Sequence, residues 1–141
     1  LPMLHFSSDK YDIKPEYYGH LHHVANVMQM CPNTCVSVVG HTDIRSGNDY
    51  NRVLSYNRAK SAVDYLVTNY GIDRARFILM YGGEETPLSI SGSAGNLMNR
   101  RVEFRVCITG DSEMVRPEGP DAGSGGSKSG STYSGSKNSG Y

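Results

Sequence analysis

Apolar residues between Leu4 and Ile108 recur at two different periods, and each switch between them marks a change of element. Val102, Phe104, Val106 and Ile108 alternate with Arg101, Glu103, Arg105 and Cys107, which predicts a strand with one buried and one polar face. Cys35 to Gly40 alternates similarly around Val36 and Val38, Arg76 to Tyr81 reads as a third strand, and Leu4-His5-Phe6 as a short first one. Elsewhere the spacing is helical. Lys14-Pro15-Glu16 opens a helix with proline in its first turn, Leu21, Val24, Val27 and Met28 form its apolar stripe, and Pro32 stops it. Ala59, Ala62, Val63, Leu66 and Val67 form a second stripe, with Asn48 to Leu54 as a loop before it, Ser55 as its N-cap and Gly71 as its C-terminal stop. A short helical turn is expected near Ala94 to Met98, within the turn-rich stretch that follows Gly82. The order β-α-β-α-β-(short α)-β predicts an α+β fold of βαβαβ type: a mixed sheet with two long helices and one short helix on one face.

The composition changes sharply near residue 110. From Gly123 to Tyr141, thirteen of nineteen residues are Gly or Ser, too little apolar surface to offset the entropy of ordering the chain. The expected division is therefore a domain over 1–110 and a flexible tail over 111–141. Fourteen basic residues balance fourteen acidic ones, which removes the electrostatic motive for binding nucleic acid or an anionic membrane. No apolar run approaches the roughly 18–20 residues that cross a bilayer. The opening Leu1-Pro2-Met3-Leu4 is not a signal peptide, so a processed product or a piece of something longer is expected. Cys31 and Cys35 flank the turn-like Pro32-Asn33-Thr34, and either a disulfide in an oxidising compartment or two free thiols fits that spacing. Cys107 reads as a small core or half-exposed strand residue.

The chemistry concentrates between Gly40 and Ala59. Asp43 falls where a strand becomes a loop among small and polar neighbours. Arg58 falls at the third helical position if Ser55 is the cap, beside unpaired backbone N–H groups and the positive end of the helix dipole. That environment favours a carboxylate, which the guanidinium can grip with two parallel bonds. A carboxylate and an anion receptor side by side would form a receptor for a zwitterion, ammonium on Asp43 and carboxylate on Arg58. Meso-diaminopimelate in the stem peptide of peptidoglycan carries such an amino-acid end, and Thr42 and Asn51 supply neutral hydrogen bonds. The structural alternatives are that Asp43 caps a turn and that Arg58 pairs with Asp64 on a solvated face.

Several words in order, Gly40-His41-Thr42-Asp43, Asn51, Leu54-Ser55, Arg58-Ala59, Gly82 and Asn99-Arg100-Arg101-Val102-Glu103-Phe104, resemble the OmpA C-terminal family, shared by Pal- and MotB-type proteins. Asp9-Lys10-Tyr11-Asp12-Ile13-Lys14-Pro15 resembles that family's approach to its first helix, and the likeness spans about residues 4–108. The resemblance implies a periplasmic, non-enzymatic peptidoglycan binder that anchors an envelope protein or secretion complex, with no cofactor and no metal. It carries diaminopimelate recognition onto Asp43 and Arg58, and places Thr42, Asn51 and Leu54 along the pocket, with Arg100 or Arg101 near the peptide or glycan. Asn96 stands where the family often has an arginine, so a ligand or salt-bridge role for that arginine is absent here. The Gly/Ser/Tyr tail and the cysteine-bearing turn are similar to those of Bacteroidota envelope modules, among them the peptidoglycan-binding component of the type IX secretion apparatus.

Two other functions compete. A peptidoglycan amidase or peptidase using His41 and Asp43 would need a zinc triad, or a nucleophile with its base and oxyanion hole, and the sequence offers neither. A protein-interaction adaptor would leave the pocket vestigial and place the function in the tail. His20, His22 and His23 look metal-like, but no carboxylate or cysteine stands at ligand spacing beside them, and a solvated helix face explains them.

Overall fold

A computed structural model describes residues 1–41, 49–82 and 100–125. Its order is β1 (Met3–His5), α1 (Tyr18–Met30), β2 (Val36–His41), α2 (Asp49–Tyr70), β3 (Phe77–Gly82) and β4 (Arg101–Val106), with 3-10 turns at Pro15–Tyr17 and Arg74–Arg76. The strands form one sheet in the order β1-β4-β2-β3. β2 and β3 run parallel, joined through α2, while β4 is antiparallel to both β1 and β2. The sheet is mixed, as the sequence periods predict. Its chain order follows from elementary geometry, since parallel neighbours need a long crossover and the helical stripe supplies one.

Both helices lie on the same face. Leu21, Val24 and Met28 of α1 and Ala59, Val63 and Leu66 of α2 join one cluster with Leu4, Val36, Val38, Leu79, Val102 and Phe104 of the sheet. All six residues of β2 are buried because strands flank it on both sides. Gly40 lets α2 come close: a Cβ there would collide with the Ser55 carbonyl group and press on the Ala59 side chain. α1 ends with Cys31 N–H donating to Val27 O at 3.0 Å. α2 ends at Gly71, whose φ of +65° suits glycine and whose N–H reaches Val67 O at 3.0 Å. The short helical turn expected near Ala94 to Met98 lies outside the described residues.

Three expectations need correction. α2 begins at Asp49, so most of the stretch read as a loop, Asn48 to Leu54, is helix. Ser55 is buried inside that helix, and its hydroxyl donates to Arg52 O at 2.8 Å in place of capping. The disulfide joins Cys35 to Cys107, with Cα atoms 5.4 Å apart, and leaves Cys31 free and exposed. The register explains that choice. Val36 pairs with Val106, so the next residues outward, Cys35 and Cys107, face each other across the end of the ladder.

The third correction concerns residues 111–125, expected as tail but packed on the domain. Asp111 accepts from Ser37 Oγ at 2.7 Å, from Arg105 Nη1 at 2.7 Å and from Ile108 N at 3.0 Å. Met114 N–H donates to Leu79 O at 2.9 Å, and Leu79 N–H donates to Glu113 at 2.9 Å. These bonds cover the outer edge of β3, which would otherwise offer unpaired backbone groups to another chain. The segment then turns back to α2, where Ala122, 1% exposed, packs with Tyr11, Val53 and Leu54.

Candidate ligand-binding site

Arg58 sits nine residues beyond Asp49, the first residue of α2, and so lies far from the first helical turn. The helix-dipole reason for a carboxylate site there does not hold. A different one does. Arg58 is 2% exposed, its guanidinium lies 5.4 Å from the Phe6 ring centroid, and it braces the loop after β1: Nε donates to Lys10 O at 2.7 Å and one Nη to Ser7 O at 3.0 Å. Burial first, then the neighbouring charge of Arg100, lowers its pKa from 12.5 to about 10, with the Asp9 carboxylate opposing. At neutral pH it remains a cation, largely desolvated and held by neutral carbonyls. Such a group gains strongly from an anionic partner. The Nη1 group makes no hydrogen bond to a described residue.

Arg100 converges on the same loop, its Nε donating to Phe6 O at 2.9 Å. The two arginines thus hold consecutive parts of one backbone segment, and the positive potential there exceeds what either supplies alone. Arg101 does not join them. It is buried, 6% exposed, and its Nε donates to Glu103 at 3.0 Å. His41 Nε2 stands 3.1 Å from the other oxygen of the same carboxylate. Burial works against the charge of Glu103, yet the bond from Arg101 and the charges of His41 and Arg101 carry its pKa below the ordinary value. His41 therefore belongs to a structural polar cluster with Arg101 and Glu103.

Asn51, Leu54 and Arg58 follow one another at helical steps of three and four residues and share one face of α2. Asn51 is half-buried in the first turns, whereas Leu54, 5% exposed, is packed under Tyr11 and Ala122. Asp43 and Thr42 lie outside the described residues. Asp64, the alternative partner for Arg58, is paired instead with Lys60 at 2.7 Å. The histidines of α1 diverge: His22 meets Tyr70 Oη at 3.1 Å, while His20 and His23 line an open depression with Leu1, Pro2 and Glu16. Among the described residues, no group of three or more His, Cys, Asp or Glu is placed to hold a metal ion.

The sequence reading missed Asn57, Asp9 and residues 119–125. Asn57 is fully buried, and its Nδ2 donates to Asp121 Oδ1 and Ala122 O at 3.0 Å each. A buried amide inside a helical stripe is the signal that could have exposed this contact. Asp9 adopts φ +59°, and its carboxylate accepts from Tyr50 Oη at 2.9 Å.

Comparison with known proteins agrees with this architecture. The chain is 36% identical over 102 residues to outer membrane porin F of Pseudomonas aeruginosa, a match covering 72% of this chain and 29% of the porin. It is 32% identical over 102 residues to the peptidoglycan-binding protein ArfA of Mycobacterium bovis, covering 72% of this chain and 31% of that protein. The chain thus spans about a third of the length of these curated relatives. The peptidoglycan-associated lipoprotein of Burkholderia pseudomallei shares its fold, with a TM-score of 0.69 at 24% identity, over 76% of this chain and 91% of that one. The profile of the OmpA family matches residues 5–101, from the end of β1 to the start of β4, and the chain belongs to the OmpA family.

Proposed function

We propose that this chain is a non-enzymatic peptidoglycan-binding module that anchors a larger envelope protein to the cell wall. Its proposed ligand is the free amino-acid end of diaminopimelate in the stem peptide, with the carboxylate on Arg58 and the ammonium on Asp43. Thr42, Asn51 and Arg100 are assigned to the walls of that pocket. The single observation that carries the reading is Arg58: a buried cation held only by carbonyl groups and an aromatic ring among the described residues, close to a second arginine. Family membership and a relative named for binding peptidoglycan support it. A periplasmic location is proposed on the same ground, and the Cys35–Cys107 bridge fits an oxidising compartment. No helix of the described residues is long and apolar enough to cross a membrane. The anchored assembly is proposed, from the Gly/Ser/Tyr tail, to be a type IX secretion complex.

Arg58→Ala and Asp43→Ala test the pocket. Each removes a charge-assisted contact that contributes about 1.5–3 kcal/mol, so affinity for a meso-diaminopimelate stem peptide should fall about tenfold or more in calorimetric titration. Parental affinity in both variants would remove the pocket assignment. Incubation with purified sacculi separates binding from hydrolysis: the chain should sediment with the wall and release no soluble muropeptide.

A further inference from the structure

We propose that residues 119–125 act as a clamp that positions Arg58 for its ligand, by fixing the Ser7–Tyr11 loop whose carbonyls hold the guanidinium. The proposal rests on the peptidoglycan-binding reading for its ligand, and on the following contacts for its geometry.

Arg58 is only as fixed as its acceptors, Ser7 O and Lys10 O. Those belong to a short loop in which Asp9 adopts a left-handed conformation that non-glycine residues rarely take. The loop needs restraint from elsewhere, and Ser124 provides it. Tyr11 N–H donates to Ser124 O, and Ser124 N–H donates to Asp9 O, both at 2.9 Å, while Lys10 Nζ reaches Ser124 Oγ at 3.1 Å. Arg58 and Ser124 therefore grip alternating groups of the same five residues.

The clamp is also tied to the helix that carries Arg58. Asn57, the preceding residue, holds Asp121 and Ala122, and the Ala122 methyl is buried among Tyr11, Val53 and Leu54. Two glycines here take a positive φ and sit close to their neighbours. Gly123 (φ +80°) would place a Cβ 2.5 Å from Leu54 Cδ1, and Gly125 (φ +146°) would place one 2.5 Å from Asp12 N. Residues 119–125 themselves lie beyond residues 5–101, the part matched to the family.

The test uses the full chain with Gly123→Val, which the φ of +80° and the nearby Asp9 carbonyl oppose, and the milder Asn57→Ala, which cuts the tie to α2. Val115→Ser, at an exposed site away from the clamp, is the control. The first readout is hydrogen exchange at Arg58 Nε–H by nitrogen-15 NMR, expected to quicken about tenfold or more in both clamp variants while sheet amides keep their protection. The second is affinity for a meso-diaminopimelate stem peptide, expected to weaken about tenfold in both, with the control unchanged. Parental exchange at Arg58 overturns the proposal, and so does faster exchange with parental affinity, or a lower melting temperature alone. If the parent chain fails to bind the peptide, the wall-binding reading falls, and exchange at Arg58 alone decides whether the clamp holds it.

Discussion

One carboxylate, Asp111, joins three parts of the molecule: Ser37 on the central strand, Arg105 on β4 through two parallel bonds, and the Ile108 backbone. The bonds from Arg105, then Ile108 and Ser37, hold its pKa well below the ordinary 3.8. A depressed carboxylate stabilises the fold above its unfolded pKa and loses that contribution as pH falls toward its folded value. Asp111→Asn should therefore lower the melting temperature at pH 7, and the gap to the parent should narrow as pH drops below about 4. A constant gap down to pH 2 would show that the charge is irrelevant. At the same scale, the sequence singled out Arg58 by a helix-dipole argument that its place deep in α2 does not support. The cap assignment failed because a serine inside a helix can donate back to its own turn, as Ser55 does, and resembles a capping serine in sequence. The loop carbonyls that Arg58 holds come from residues 48 and 51 positions away, a pairing that no local pattern encodes.

Elements were more legible than single contacts. The strands and the stripes of α1 and α2 followed from period alone, because burying one face against a sheet imposes it. The first turns of α2 did not: Asp49-Tyr50-Asn51-Arg52 carries no apolar stripe. Its helicity is supported by an Asp49–Arg52 ion pair and by Gly119 and Ala122 packed beside Val53. Where helix meets sheet, Gly40 sets the spacing. Gly40→Ala should destabilise the domain by about 3 kcal/mol or more, because the obstacle is the Ser55 carbonyl group of a helix and cannot rotate away. A urea midpoint matching the parent would show that α2 can shift without cost.

For the molecule as a whole, the boundary expected at residue 110 misjudged a segment whose composition is polar but whose few apolar groups are well placed. Pro117 and Ala122 are both buried, Ala122 to 1% exposure, and composition cannot report that. The disulfide was equally hidden, since nearby Cys31 and Cys35 look like natural partners until the β2–β4 register sets Cys35 opposite Cys107. Closing a loop over a separation of 72 residues should contribute about 4 kcal/mol through the unfolded chain. The paired change Cys35→Ser with Cys107→Ser should lower the urea midpoint accordingly, whereas Cys31→Ser should leave it unchanged. The reverse ranking would mean the bridge carries no stability. Lys10 and Ser124 meet across 114 positions of sequence, so a loop early in the domain is completed only once residues far along the chain have been made. A chain released between Cys107 and Gly119 would carry all four strands, yet on the clamp proposal it would hold its buried arginine loosely. Such a fragment would pass a check on its sheet and fail one on Arg58, because Ser124 is what ties down the loop that holds the guanidinium.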